Sequence, residues 1–422
     1  MSDFLVLQSN LATLKAIFRP SSPTDDLALF RGRKTQLRGV MSGLAEVGQH
    51  ILVYGERGVG KTSLGYMAKA VFDANPAVHR ISVRIQCADG ETFTQIWQDF
   101  YLRLRAVVDT KQKAFRDLVS DALDRVDEIL NYPNGDSLTA TDVDRALTIL
   151  SAQVELLIIV DEFDRLGAWD ESTAFGDLIK SLSDERRQVT LVIVGVADSI
   201  DGLIKAHAST PRSLRQILMP RMEPDELLLI VTEGIAEFTR KSNYELVIDA
   251  QAARVIAKVA EGFPYYVHLL SGAAGTAALY DNKHEIQVSD VFLSMATAIE
   301  EADYTIRSAY VGSTTARVDA NLESTLIACA LAFKDEIGYF SSTDVADALT
   351  TLIGNKRSSR HVNSHLQKFS SPPHWILDRK EFSTRNIRYR FHDPLMRPFV
   401  LLKAYESGAI KGAEEDDDTS AP

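Results

Sequence analysis

At 422 residues the chain exceeds one ordinary domain, and at roughly 100–200 residues per domain it divides into about two to four units, each able to bury a core. Hydrophobic residues at 45% and charged residues at 25% are the proportions of a globular protein, and a net charge of -12 argues against a chain coated in nucleic acid while leaving a local basic face open. Only two cysteines are present, Cys87 and Cys329, far apart and without partner spacing, which suggests neither a disulfide framework nor a zinc site; both read as inert core residues.

In chain order, an apolar helix-like stretch from Phe4 to Phe18 runs into "RPSSPTDD", whose prolines and serines read as an extended connector, so residues 1–28 form an arm. Four strand-like runs follow between helical patterns: "ILVY" (51–54), "RISVRIQ" (80–86), "LLIIVD" (156–161) and "TLVIVGVA" (190–197), with "QILMP" (216–220) a candidate fifth. Apolar runs of this kind suit a parallel sheet covered by helices on both faces. Residues 92–150 read as two or three amphipathic helices rich in Asp and Arg, more than a plain crossover needs. After Pro220 the strand signal stops, and residues 224–300 read as helices with Asp, Pro or Gly at their boundaries.

From residue 321, "NLESTLIACALAF", "STDVADALTTLIG" and "SRHVNSHLQKFS" predict three short helices, and "HWILDRK" with "IRYRFHD" a two-stranded wing, the pattern of a winged helix-turn-helix. The tail "EEDDDTSAP" (414–422) carries five acids in a row without apolar residues and reads as disordered. The longest apolar run, around Leu156 to Val160, is far shorter than a membrane span, and the amino terminus lacks a basic region followed by an apolar one. The chain reads as cytoplasmic, with no membrane partner.

Chemistry concentrates at "YGERGVGKTS". Gly55, Gly58, Gly60, Lys61 and Thr62 satisfy G-x-x-x-x-G-K-[ST] between a predicted strand and a predicted helix. Glycines let the chain curl around a phosphate with successive N–H groups pointing inward, and the helix that follows adds its positive end. The cradle therefore comprises Gly55, Glu56, Arg57, Gly58, Val59, Gly60, Lys61, Thr62 and Ser63, with Lys61 reaching the β- and γ-phosphates and Thr62 placing its hydroxyl on Mg²⁺. In "LLIIVDEFDRL", Asp161 ends a buried strand where a carboxylate can hold Mg²⁺, and Glu162 is the candidate for polarising the attacking water. Either acid alone could be a solvated strand end; their pairing with the cradle implies a magnesium-dependent nucleotide site.

With these motifs in order, the sequence resembles the AAA+ ATPases over about residues 27–400, in particular the bacterial ATPases with an origin-recognition-complex-like domain and the related STAND signalling NTPases. The segment "LFRGRKTQL" resembles the family box that lies against adenine, implying Phe30, Arg31, Gly32 and Arg33 as nucleotide contacts, although Gln36 stands near where many members have an acid. "VIVGVADS" resembles the sensor position, with Ser199 the choice and Asp198 the alternative, in place of the usual Asn or Thr. "HASTPRSLRQILMPRM" resembles the segment that carries an arginine finger, with Arg212 first and Arg215 second, which implies assembly; ordinary pairing with surface acids is the other reading. "EGFPYYVHLL" resembles the Gly-x-Pro motif of STAND proteins through Gly262 and Pro264, and Tyr265 or His268 could stand in for an absent sensor arginine. Core packing explains that stripe equally well.

Residues 356–393 carry nine Lys or Arg (356, 357, 360, 368, 379, 380, 385, 388 and 390) against three acids. With "SRHVNSHLQK" as a recognition helix, Arg360, Asn363 and Lys368 could face a major groove while Arg388 and Arg390 touch phosphates. Alternatively the module is a latch on the ATPase, a reading favoured by the apolar side chains of "RYRFHDPLMRPFVLL".

The expected architecture is α/β: a parallel-sheet P-loop NTPase of AAA+ type (29–221), an α-helical lid (222–312), a winged-helix domain (313–406) and an acidic tail (407–422). The expected function is Mg²⁺-dependent ATP binding and hydrolysis by a switch or assembly ATPase, as in bacterial defence or regulation, exchanging ATP for ADP and binding itself or a partner effector protein. The rivals are a DNA-binding loader or remodeller and a scaffold that binds ATP and barely turns it over.

Overall fold

The computed structural model describes residues 2–24, 26, 29–74, 79–131, 137–166, 169–197, 210–314, 321–335, 338–383 and 386–410. The chain divides into two compact units, Pro23–Arg221 and a second built from Met1–Ser22 with Met222–Pro422. Helix α1 (Ser2–Ile17) belongs to the second unit.

The first unit begins with α2 (Lys34–Leu44), β1 (His50–Gly55), α3 (Lys61–Asp73) and β2 (Arg80–Gln86). Three helices, α4 (Phe93–Asp109), α5 (Lys113–Asn131) and α6 (Ala140–Ser151), fill the long insertion before β3 (Glu155–Asp161). A single 3-10 turn (Phe163–Arg165), α7 (Trp169–Asp184), β4 (Val189–Val196), α8 (Thr210–Ser213) and β5 (Leu214–Leu218) complete it. The strands form one parallel sheet in the order β2-β3-β4-β1-β5. β1 and β3 are neighbours of β4 on either side, so the glycine turn after β1 and the acids ending β3 leave from the same end of the sheet.

The inserted helices start where side chains can close their first turn. Thr92 with Gln95 and Thr139 with Asp142 form reciprocal capping boxes on α4 and α6. Their apolar faces join Leu156, Ile158 and Val160 of β3 in one core, where Phe175 meets Phe93 and Phe163 edge-on at 5.0 and 4.9 Å. Phe163 thereby anchors the turn that carries Glu162. β2 departs from the expected apolar run: Ile81, Val83 and Ile85 face this core, while Arg80, Ser82, Arg84 and Gln86 alternate with them on the opposite side.

In the second unit α9 (Pro224–Lys241), β6 (Val247–Ile248), α10 (Ala250–Val259), α11 (Pro264–Tyr280), β7 (Glu285–Ile286), α12 (Val288–Glu301) and α13 (Tyr304–Thr314) follow one another. Leu11, Leu14, Ile17 and Phe18 are the buried side of the amino-terminal segment, which packs on α9 and α11. Next come α14 (Leu322–Leu331), α15 (Ser342–Ile353), α16 (Ser359–Phe369), the antiparallel hairpin β8 (Leu377–Ser383) and β9 (Asn386–Phe391), and α17 (Met396–Glu406). Cys87 and Cys329 are buried free thiols. Among the described residues no helix is long and apolar enough to cross a membrane.

Candidate functional site

β1 delivers the chain into the glycine turn at Gly55, with φ +148, where a Cβ would lie 2.4 Å from the Met219 carbonyl oxygen. Only glycine permits that approach. Gly60 caps α3 with φ +95, and nothing lies within 4 Å of the place its Cβ would take, so the helix N-terminus stays accessible to an anion. Lys61 opens α3, is 8% exposed, and donates from Nζ to the Glu56 carbonyl oxygen at 2.7 Å. Burial pulls its pKa down to about 8 against the opposing field of Asp164, Asp161 and Glu56. A largely buried ammonium of this kind gains from an incoming anion.

Thr62 Oγ1 donates to Asp161 Oδ1 at 3.3 Å, which joins the cradle to the end of β3. Asp161 is 2% exposed; its Oδ1 also accepts from the Glu162 N–H at 3.0 Å, and its Oδ2 from Arg84 Nη2 at 2.6 Å. Glu162 sits in the left-handed region at φ +56. Its Oε2 accepts from Gln86 Nε2 at 3.0 Å and lies 3.2 Å from Arg165 Nε. Asp164 Oδ1 accepts from the Val196 N–H at 2.7 Å, tying the turn after β3 to the end of β4.

The remaining expected residues fall into four groups. Arg33, in a left-handed conformation and buried, donates from Nη2 to the carbonyl oxygens of Val59 at 3.0 Å and Pro220 at 2.6 Å, so it clasps the cradle to the segment after β5. Phe30, Arg31 and Gly32 precede it and are half-buried; Val59 is buried, Arg57 is exposed, and Ser63 Oγ accepts from the Thr24 N–H at 3.1 Å. Arg212 is exposed on α8 and Arg215 is half-buried on β5, opposite Ile51. Pro264 opens α11 in the other unit, where Tyr265 Oη accepts from the Asp303 N–H at 2.8 Å. His268 in the same helix is half-buried, edge-on to Phe18 at 6.0 Å, and burial lowers its pKa to about 4. Ser199 and Asp198 lie outside the described residues.

Four polar partners escaped the sequence reading. Arg84 and Gln86 are signalled by the polar alternation within β2, whereas Arg165 has no comparable mark. Arg221 grips Glu56 of the cradle through two nitrogens, at 2.7 and 3.2 Å, and is the last residue of the sheet unit.

This donor set fits a Mg²⁺ nucleotide: hard oxygen atoms on Thr62 and Asp161, a buried ammonium, and a glycine turn at a helix N-terminus. Among the described residues no group of three or more His, Cys, Asp or Glu side chains is placed to hold a metal ion.

Residues 45–204 match the family model described as AAA domain. The ORC2 protein of Aeropyrum pernix, solved as ADPNP–ADP complexes, is 13% identical, with 93% of this chain and 98% of that one covered at a TM-score of 0.50. The Walker-type ATPase paby2304 of Pyrococcus abyssi is 15% identical, with 91% and 99% covered at a TM-score of 0.51. No functionally curated protein matches the sequence. The chain has the fold of these structures and carries an AAA-type ATPase domain.

Proposed function

We propose that the chain is a Mg²⁺-dependent switch or assembly ATPase in which ATP binding at Gly55–Ser63 controls a partner interaction. The observation that carries this reading is Lys61, an ammonium largely buried in a glycine turn at a helix N-terminus, with the adjacent Thr62 hydroxyl on Asp161. Lys61 and the turn's N–H groups hold the phosphates; Thr62 and Asp161 hold Mg²⁺, which when bound neutralises phosphate charge. Glu162 takes up the attacking water and its proton, and Gln86 and Arg165 set the direction of its carboxylate.

Arg221, bound to Glu56, is followed directly by Met222 of the helical unit, which gives the cradle a covalent route for reporting its state. In this reading residues 222–312 form the lid and residues 313–406 a winged helix. Arg212 serves as a finger across a subunit boundary, in the manner of the STAND and origin-recognition-like ATPases of bacterial regulation and defence. The test is binding of a fluorescent ATP analogue together with phosphate release: wild type should do both, and binding that survives Lys61→Ala would overturn the reading.

A second reading, a DNA-binding ATPase, is favoured by α16, where Arg360 and Asn363 are exposed. Its test is whether duplex DNA raises the ATPase rate and whether binding weakens steeply with salt.

A further inference from the structure

Arg80 and Arg84 lie four residues apart on the polar side of β2 and are near-copies in their surroundings. Each covers an aromatic ring of α3: Arg80 lies over Phe72 with its guanidinium carbon 4.7 Å from the centroid, and Arg84 over Tyr66 at 5.0 Å. Each donates to a carboxylate of β3, Arg80 Nε to Glu155 Oε2 at 2.7 Å and Arg84 Nη2 to Asp161 Oδ2 at 2.6 Å.

The two pairs then diverge. Arg80 spends a second nitrogen, Nη1, on the Phe72 carbonyl oxygen at 2.9 Å, and its acid opens β3. Arg84 holds its acid through Nη2, its buried Nε has no hydrogen-bond partner, and its acid closes β3 with the other oxygen on Thr62 Oγ1. A fixed structural staple would use the whole guanidinium fork, as Arg80 does more nearly. Arg84 instead puts a permanent positive charge on the carboxylate that the Thr62–Asp161 pair would offer to a divalent cation.

We propose that Arg84 is a positioning residue that sets the magnesium requirement of the site by competing with the cation for Asp161, so that Mg²⁺ binds well only together with nucleotide phosphates. The inference rests on the nucleotide-site reading above. Two like charges a few ångströms apart near a protein surface repel strongly enough that removing one should tighten cation binding by roughly tenfold.

The experiment measures binding of a fluorescent, non-hydrolysable ATP analogue across a series of free Mg²⁺ concentrations. In Arg84→Met the Mg²⁺ midpoint should fall by about tenfold relative to wild type, while Arg80→Met, the matched pair outside the site, keeps the wild-type midpoint. Arg84→Gln, which retains a donor for Asp161 without the charge, should shift as Arg84→Met does and serves where that variant unfolds. An unchanged or raised midpoint in the Arg84 variants overturns the proposal, as does an equal shift in Arg80→Met. Wild-type protein that fails to bind the analogue, or binding that survives Lys61→Ala, removes the nucleotide site itself, and the proposal falls with it.

Discussion

Two parts of the molecule set arginines beside carboxylates. Under α3, Arg84 meets an Asp161 that is almost wholly buried and already bonded to Thr62 at the end of the glycine turn. On the carboxy-terminal hairpin, Arg388 lies 3.1 Å from Asp335 and Arg390 lies 3.3 Å from Asp378, with all four side chains about a third exposed, and Arg379 pairs with Glu381. Water screens the hairpin pairs, and exposed pairs of this kind are worth about 0–1 kcal/mol each. Breaking the buried pair strands a charge. The basic count of residues 356–393 therefore overstates the positive field the hairpin presents, whereas two buried polar contacts decide the properties of the cradle.

The largest expected effect lies in turnover. Glu162→Gln should leave ATP binding intact and slow phosphate release by about 10³-fold, as loss of a general base does; an unchanged rate would place the base elsewhere. Acid stability comes next. His50 is fully buried, accepts from the Leu191 N–H at 3.0 Å, and burial lowers its pKa from 6.5 to about 4. Its folded pKa is depressed, so below pH 6.5 the unfolded chain takes the proton first. The contribution to stability is whole above pH 6.5 and is lost as pH falls toward 4, by up to about 3 kcal/mol. Thermal unfolding of His50→Gln across that window should show a shallower loss than wild type, and His268, whose pKa burial also lowers to about 4, should act in the same direction under the same substitution.

Lys61→Ala should weaken ATP-analogue binding by about 100-fold, the scale of a lost charge-assisted contact. Gly55→Ala, whose new methyl meets the Met219 carbonyl oxygen, should cost about 2 kcal/mol in denaturant unfolding. The smallest effects belong to the hairpin. Arg388→Ala and Arg390→Ala should each change stability by less than about 1 kcal/mol. If duplex DNA binds, Arg360→Ala should weaken it more than either of them, and a reversed order would show that the hairpin pairs open onto the phosphates.

The strands and the cradle were legible for a local reason. β1, β3 and β4 are buried on both sides and so read as unbroken apolar runs, and a turn that wraps a phosphate needs glycine at set intervals followed by Lys-Thr. The edge strand β5 was harder: it starts at Leu214, inside a stretch whose arginines suggested a surface segment. The partners of the two acids were hidden because they depend on strand register. Gln86 reaches Glu162 only because β2 pairs with β3 so that Gln86 lies opposite Asp161, 75 residues further along the chain. Arg33, read as a nucleotide contact, bonds through its guanidinium to the Val59 and Pro220 carbonyl oxygens, partners that its sequence position does not mark.

Sequence by itself determined the parallel sheet, the glycine turn between β1 and α3 and the two acids after β3, because each rests on a periodicity or a spacing within about ten residues. Tertiary structure alone decided which cations those acids meet, that Arg221 holds Glu56 of the glycine turn, and that Arg379, Arg388 and Arg390 of the hairpin each meet a carboxylate. Those outcomes depend on the order and register of strands distant in sequence, and on burial, which sets whether an ion pair is screened by water or felt at full strength.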